Sequence, residues 1–475
     1  MPTISELLAA LPAEQDRPDL SSLPSASCES SFQALTDRIA HRRTPTGMFA
    51  RTCSVTGLTA KLALAYGAYW IRSWYKTGDQ QQQDLLETHL RSALQTLETA
   101  GYLRGAFAKL GQLAVCAPDD TLPAAWIETM SRLQFQAPPM HWSLIREQLR
   151  NEFDDPDAIF AEVDPTPIAA ASLGQVHIAR LVSGETVAVK IQYPGISRAI
   201  RSDLRALKML FRPFQSHAQW QGLRDLFDEL QTGLEAETNY QQEASNLQTA
   251  KDVLEHDEQI VVPNVFPNAT TRRVLTMEFL QGEMLESFLT KNPTQETRNH
   301  YGRLISKASY ELYRHHLLYT DSHPGNYIFM KDQRLGVVDF GNLRRLSERE
   351  WDFHLAVNHA RKTNDQGAIR QLCQQSLLMS NEDADRHSTH LDVVVKMFDL
   401  LNEPILFEGE FDYGDPTYLQ RGGELFSQAS KSRWVKQIPA NLFAHRMNFQ
   451  IPAVLLKLKC RVNMPDLIRE CGMIR

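Results

Sequence analysis

The stretch LLYTDSHPGNYIFM, Leu317 to Met330, sets an aspartate, a histidine and an asparagine in a few polar residues between two apolar runs. NYIFM reads as a short strand, and His323-Pro324-Gly325 reads as the turn that shapes the loop before it. Asp321 and Asn326 stand five positions apart at the edge of that strand. What a carboxylate and a carboxamide do there depends on what the rest of the chain brings to them.

A second strand candidate, RLGVVDF, follows the turn-prone Lys331-Asp332-Gln333 and leads into Asp339-Phe340-Gly341, eighteen residues after Asp321. Upstream, between Pro167 and Leu280, the short β-like runs VHIARL, ETVAVKIQY and RRVLTMEFL surround a helical stretch from about Leu223 to Leu254. Val187-Ala188-Val189-Lys190 alternates as a strand does and ends in a lysine. EAETNYQQEASN offers Glu235, Glu237 and Glu243 as a helical partner for that lysine, and helical periodicity alone leaves the choice open.

A sheet lobe followed by a helical lobe, with an Asp/Asn loop and a strand leading into Asp-Phe-Gly, is the plan of a protein-kinase-like fold, α+β and bilobal. In that plan Asp321 orients a hydroxyl or a water, and Asn326 and Asp339 ligate Mg²⁺. Lys190 reaches the α- and β-phosphates of ATP. Asp-Phe-Gly alone is a common tripeptide, and a lysine ending a strand is commoner still. The order of lysine strand, glutamate helix, Asp/Asn loop and Asp-Phe-Gly carries the reading.

At 475 residues with 43% hydrophobic content the chain can fill two or three domain cores. The formal net charge of -7 provides no global basic field for nucleic acid. Six cysteines without a CxxC pair fit packing roles in a reducing compartment better than a disulfide framework or a zinc ribbon. The N-terminus lacks a positive region before its apolar patch, so no secretory signal is expected. Residues 1–31 read as a disordered leader, 32–153 as a helical extension, 154–280 as the sheet-bearing N-lobe and 281–475 as an enlarged helical C-lobe. No internal repeat is visible.

Three further stretches narrow the match: Lys109-Leu110-Gly111-Gln112, PIAAASLGQVHIARL from Pro167, and TDSHPGN. Together they resemble the UbiB/AarF family of atypical protein-kinase-like proteins, linked to ubiquinone and other isoprenoid-lipid metabolism. The resemblance runs from about residue 85 onward. It implies that Lys190 contacts the α/β-phosphates, that Glu243 is its helical partner, that Asp321 is the catalytic-loop aspartate, and that Asn326 and Asp339 are metal ligands. It further implies that Lys109, with Gln112 in the same KxGQ motif, lies over the site and approaches an acidic ExD motif. Here that motif reads Glu237-Thr238-Asn239, so an asparagine replaces the family's aspartate. Ala169, Ala170, Ala171, Ser172 and Gly174 occupy the place of a glycine-rich phosphate loop. Alanine disfavours φ > 0, so fewer backbone N–H groups turn towards phosphate.

Thr320, not arginine, precedes Asp321, and a helical pattern resumes soon after Gly341 without an Ala-Pro-Glu segment. Both features point away from protein substrates, towards ATP hydrolysis or phosphorylation of a small or lipid acceptor. A nucleotide-binding scaffold without turnover is the alternative. A metal hydrolase built on His315, His316, Asp321 and His323 is a more distant one. Tyr66, Tyr69, Trp70, Trp74 and Tyr75, beside Lys61, Arg72 and Lys76, resemble an interfacial amphipathic helix. An ordinary core helix with a polar edge is the alternative for that segment, and the resemblance, through its link to lipid-soluble quinones, implies peripheral membrane contact of a cytoplasmic protein.

Overall fold

The computed structural model describes residues 140–171, 173–211, 231, 233, 235–320, 323–431 and 451–473. The expected leader, the aromatic segment around Trp70, Lys109, Gln112, Ser172 and Asp321 lie outside the described residues.

Helix α1 (Trp142–Glu152) leads into a four-stranded antiparallel sheet. Strands β1 (Phe160–Ala171), β2 (Gly174–Leu181) and β3 (Thr186–Gln192) pair in sequence. Helices α2 (Ile196–Phe211) and α3 (Tyr240–Leu254) follow, then β4 (Ile260–Val261) and β5 (Val274–Glu278). β5 completes the sheet on the far side of β3, in the order β1-β2-β3-β5.

β3 is central and covered on both faces, which is why almost every residue in it is buried. Val187, Val189 and Ile191 enter a core with Ile145 and Leu149 of α1 and Ile196 and Ile200 of α2. Ala188 enters the opposite core with Tyr240 and Leu247 of α3. The period-2 alternation of a strand therefore directs Lys190 to the α3 side.

The second lobe is helical around a second sheet. β6 (Gly282–Glu283), α4 (Leu285–Thr290) and the 20-residue α5 (Gln295–Arg314) precede β7 (Leu317–Tyr319), β8 (Tyr327–Met330) and β9 (Leu335–Val337). β8 and β9 form a hairpin through Asp332 and Gln333, the latter at φ 64, flanked by β6 and β4. β10 (Leu343–Arg345) returns to pair with β7. The helices α6 (Glu348–Lys362), α7 (Gln366–Ser376), α8 (Asn381–Arg386) and α9 (Ser388–Leu406) complete much of this lobe. Ala188, Leu247 and Met277 of the first lobe share one continuous core with Leu304, Ile305, Leu312, Phe329 and Val337 of the second. The lobes therefore meet along α3 and α5, as an α+β bilobal kinase-like fold requires.

Gly302, in the middle of α5, faces the C-terminal chain. A Cβ there would overlap Cys460 Sγ and lie 2.9 Å from Cys460 Cβ. Gly302→Ala is expected to lower unfolding free energy by about 1–3 kcal/mol, as overpacking does. An unchanged urea midpoint would show that Cys460 gives way freely.

Candidate active site

Lys190 is 8% exposed and Glu243 3% exposed. The Lys190 ammonium lies 2.6 Å from Glu243 Oε1 and 2.9 Å from Asp339 Oδ2. The ring of Tyr240 lies beside it, with its centroid 5.1 Å from Nζ. Tyr240 and Glu243 are three apart on α3 and share its inner face. The structure thus selects Glu243 among the three glutamates left open by periodicity. Glu237 instead accepts from Asn342 Nδ2 at 3.1 Å, and Glu235 accepts from Gln231 Nε2 at the surface.

One ammonium faces two carboxylates here. Burial opposes the charge on Lys190, but the carboxylates of Asp339 and then Glu243 overcome it and raise its pKa well above the usual lysine range. Burial is also the main influence on Glu243. Lys190 pulls its pKa back down and Asp339 pushes it up, and the carboxyl ends at about 7.

Asp339 Oδ1 accepts the Gly341 N–H at 3.0 Å, and Phe340 is fully buried against Tyr319. Asn246 Nδ2, one turn beyond Glu243, donates to the Phe340 carbonyl at 2.9 Å. On the other side the Thr320 hydroxyl donates to the Asn342 carbonyl at 2.7 Å. The Asp-Phe-Gly segment is thereby tied to α3 and to the loop that precedes Asp321. Asn326 closes a short turn capped by His323, whose Nδ1 accepts the Gly325 N–H at 3.1 Å. The Asn326 carbonyl accepts the Val338 N–H at 3.1 Å, which puts Asn326 beside the residue preceding Asp339. The Asn326 carboxamide nitrogen donates to the Tyr319 hydroxyl at 3.4 Å, and a carboxylate and a carboxamide oxygen are of the hard donor type that fits Mg²⁺.

The alanine-rich segment is mostly strand. Ala169, Ala170 and Ala171 pair with Val176, Gln175 and Gly174, so most of the loop expected over 169–174 is taken up in the β1–β2 ladder. Glycine is needed at 174 for close approach, because a Cβ there would overlap the Ile191 carbonyl oxygen and lie 3.0 Å from the Tyr240 hydroxyl. Asn239 stands at the N-cap of α3 without a side-chain capping bond. α5 ends at Arg314, so His315 caps it, while His316 has φ 61 and stacks on Trp351 at 4.1 Å. Among the described residues no group of three His, Cys, Asp or Glu side chains is arranged to hold a metal.

Sequence reasoning missed Tyr240, Asn246 and Asn342. The first two were within reach, because Tyr240, Glu243, Asn246 and Leu247 recur at helical spacing once the helix is started at Asn239.

A family model described as the ABC1 atypical kinase-like domain matches residues 132–372, half of the chain. The chain belongs to the ABC1 atypical kinase-like family. The UbiB/AarF resemblance drawn from the motifs is to these same proteins. An uncharacterised Synechocystis protein is 35% identical over 257 residues, covering 51% of this chain and 63% of that one. The mitochondrial atypical kinase COQ8 of Saccharomyces cerevisiae is 31% identical over 330 residues, covering 67% and 64%. The chain spans 63% and 58% of the lengths of two of its Synechocystis relatives, about three fifths of each. A Mycobacterium tuberculosis protein solved in complex with erythromycin aligns with a TM-score of 0.55 at 25% identity, covering 84% of this chain and all of that one. The ABC1 match takes in every described residue of the site.

Removing the central cation leaves the buried Glu243 carboxylate unpaired beside the half-buried one of Asp339. Lys190→Met is expected to cost about 3–5 kcal/mol of stability at pH 8. Without Lys190 the folded-state pKa of Glu243 rises further above its unfolded value, so the folded protein favours the protonated acid. The deficit should therefore shrink as pH falls from 8 to 5. Chemical denaturation at the two pH values checks this, and an equal deficit at both would contradict it.

Proposed function

We propose that the chain binds a magnesium–ATP complex between its lobes and acts as an atypical kinase or ATPase serving ubiquinone or other isoprenoid-lipid metabolism. The observation that carries this reading is the meeting of Lys190, Glu243 and Asp339, from β3, α3 and the end of β9, with the Asn326 backbone bonded to Val338, the residue before Asp339. Lys190 would hold the α/β-phosphates, and Asn326 and Asp339 would hold Mg²⁺, which neutralises charge on the phosphate tail. Asp321 would orient the acceptor hydroxyl or water. Glu243 holds the Lys190 ammonium in place, and Tyr240 screens it from water.

The acceptor is small or lipid rather than protein. After Gly341 the chain turns back through β10 to β7 and enters α6 at Glu348, where Ser347 and Glu350 form a capping box. That leaves six residues between Gly341 and the helix, too few for an extended peptide-docking segment. Thr320, standing where a kinase has arginine, is engaged with the Asn342 carbonyl. Among the described residues no helix is long and apolar enough to cross a membrane. Peripheral contact through the segment around Trp70, from an otherwise cytoplasmic protein, belongs to the same proposal. Lys109 and Gln112 would act as a latch towards Glu237.

The ion pair between Lys190 and Asp339 favours one second reading, a nucleotide-binding scaffold, because it engages the carboxylate a metal would need. Mg²⁺-dependent ATP turnover, measured with and without anionic liposomes and small phenols, separates the two. The enzyme reading expects turnover that Asp339→Asn lowers at least about 100-fold. Nucleotide binding without turnover under every condition would favour the scaffold.

Acid should weaken nucleotide binding. Below about pH 7 Glu243 takes up a proton, and Lys190 is left to Asp339 alone, in competition with the metal. Calorimetric titration of Mg-ADP is expected to give weaker binding at pH 6 than at pH 8 in the wild type. Glu243→Gln should flatten that dependence. The same slope in both proteins would remove Glu243 as its source.

A further inference from the structure

β2 begins at Gly174, and its next residue, Gln175, is fully buried on the face of the sheet opposite Lys190. Its carboxamide oxygen accepts the Met140 backbone N–H at 2.8 Å, and its nitrogen donates to the Met140 carbonyl at 3.2 Å. The same nitrogen lies 2.9 Å from His177 Nε2, and His177 Nδ1 lies 2.7 Å from the Asp164 carbonyl. A carbonyl oxygen only accepts, so Nδ1 carries the imidazole proton. Nε2 of the neutral ring then accepts the second amide hydrogen of Gln175. Turning the amide over would set its NH₂ against the Met140 N–H, and the other tautomer would set a lone pair against the Asp164 oxygen. One arrangement satisfies every group.

This network has a mechanical consequence. The two bonds to Met140 imitate one rung of a β-ladder, made by a side chain, and they fix the chain as it enters α1. Gln175 adjoins Gly174, where even a Cβ would overlap the Ile191 carbonyl oxygen and lie 3.0 Å from the Tyr240 hydroxyl, so this end of β2 is packed closely against β3 and α3. Displacement at Met140 therefore passes through Gln175 to the β1–β2 turn.

We propose that Gln175 is a positioning residue that couples the chain entering α1 to the turn over the nucleotide site, with His177 locking the Gln175 amide in its working orientation. The proposal rests on the nucleotide reading above. Linkage makes the coupling reciprocal, so nucleotide bound at the turn must also steady Met140. Burial holds His177 below the ordinary histidine pKa, against the opposing pull of Asp164. The groups facing it are the Asp164 carbonyl on β1, Trp142 of α1 with ring centroids 5.1 Å apart, and Val189 of β3 in register. Among them Asp164 is the one charged residue.

The test uses the wild-type chain and one variant, with Mg-ADP as the probe. In the wild type, saturating Mg-ADP should slow amide exchange at Met140 at least about fivefold. His177 should remain a neutral Nδ1–H ring in NMR spectra between pH 6 and 8. Gln175→Glu keeps the acceptor for the Met140 N–H but removes both donors, and its carboxylate invites a proton onto His177 Nε2. In that variant His177 should titrate within this range, and Mg-ADP affinity should follow its titration. If Mg-ADP binds but leaves Met140 exchange unmoved, and Gln175→Glu binds like the wild type at every pH, the coupling is overturned while the nucleotide reading stands. If the wild type binds no Mg-ADP, the nucleotide reading fails and the coupling falls with it.

Discussion

An ammonium held out of water must be neutralised where it stands, and Lys190 meets that demand with two carboxylates contributed by separate parts of the fold. β3 carries the lysine, α3 carries Glu243, and Asp339 follows β9 in the other lobe. Burying this cation is tolerable only when all three elements are in register. The same contact that makes the site chemically capable therefore helps to hold the lobes together. The remaining ties serve that alignment: Asn246 to the Phe340 carbonyl, Thr320 and Glu237 to Asn342, and the shared core along α3 and α5.

The charge count of the cluster suits the metal proposed for it. Two carboxylates face one ammonium, and the negative charge of Asp339 adds to the burial that pushes the Glu243 carboxyl up to about 7. A divalent cation on Asp339 would offset that negative charge. It would also free Lys190 for phosphate oxygens. Side-chain donors do this work where the backbone offers little, because the alanine-rich segment is taken up in strand pairing almost to its tip.

Much of the site was legible because strands and catalytic loops leave short-range signatures. The alternation of Val187 to Lys190 fixed the face that the lysine occupies, and the run RLGVVDF marked the strand that leads into Asp339, while Asp321 lies outside the described residues. The choice among Glu235, Glu237 and Glu243 was not legible. It depends on where α3 begins, and the break at Thr238 and Asn239 is set by contacts with the sheet, such as the bond from the Tyr240 N–H to the Arg272 carbonyl. The extent of the turn after Ala171 was misjudged for a related reason. Alanines carry no strong strand signal, and the pairing that draws them into β1 comes from β2 across the hairpin. Gln175 and His177 gave no sign of their role, because their partners, Met140 and Asp164, lie many residues away in sequence and are engaged through backbone atoms.

Manganese in place of magnesium offers the most direct test of the claim that Asp339 and Asn326 hold a nucleotide-bound cation beside Lys190. Electron paramagnetic resonance of Mn²⁺ titrated with the protein and ADP should show the free-ion signal fall below the level that ADP alone leaves, and return to that level with Asp339→Asn. A free-ion signal that the wild-type protein leaves undiminished beyond the effect of ADP alone, or a bound signal indifferent to Asp339, would contradict the account.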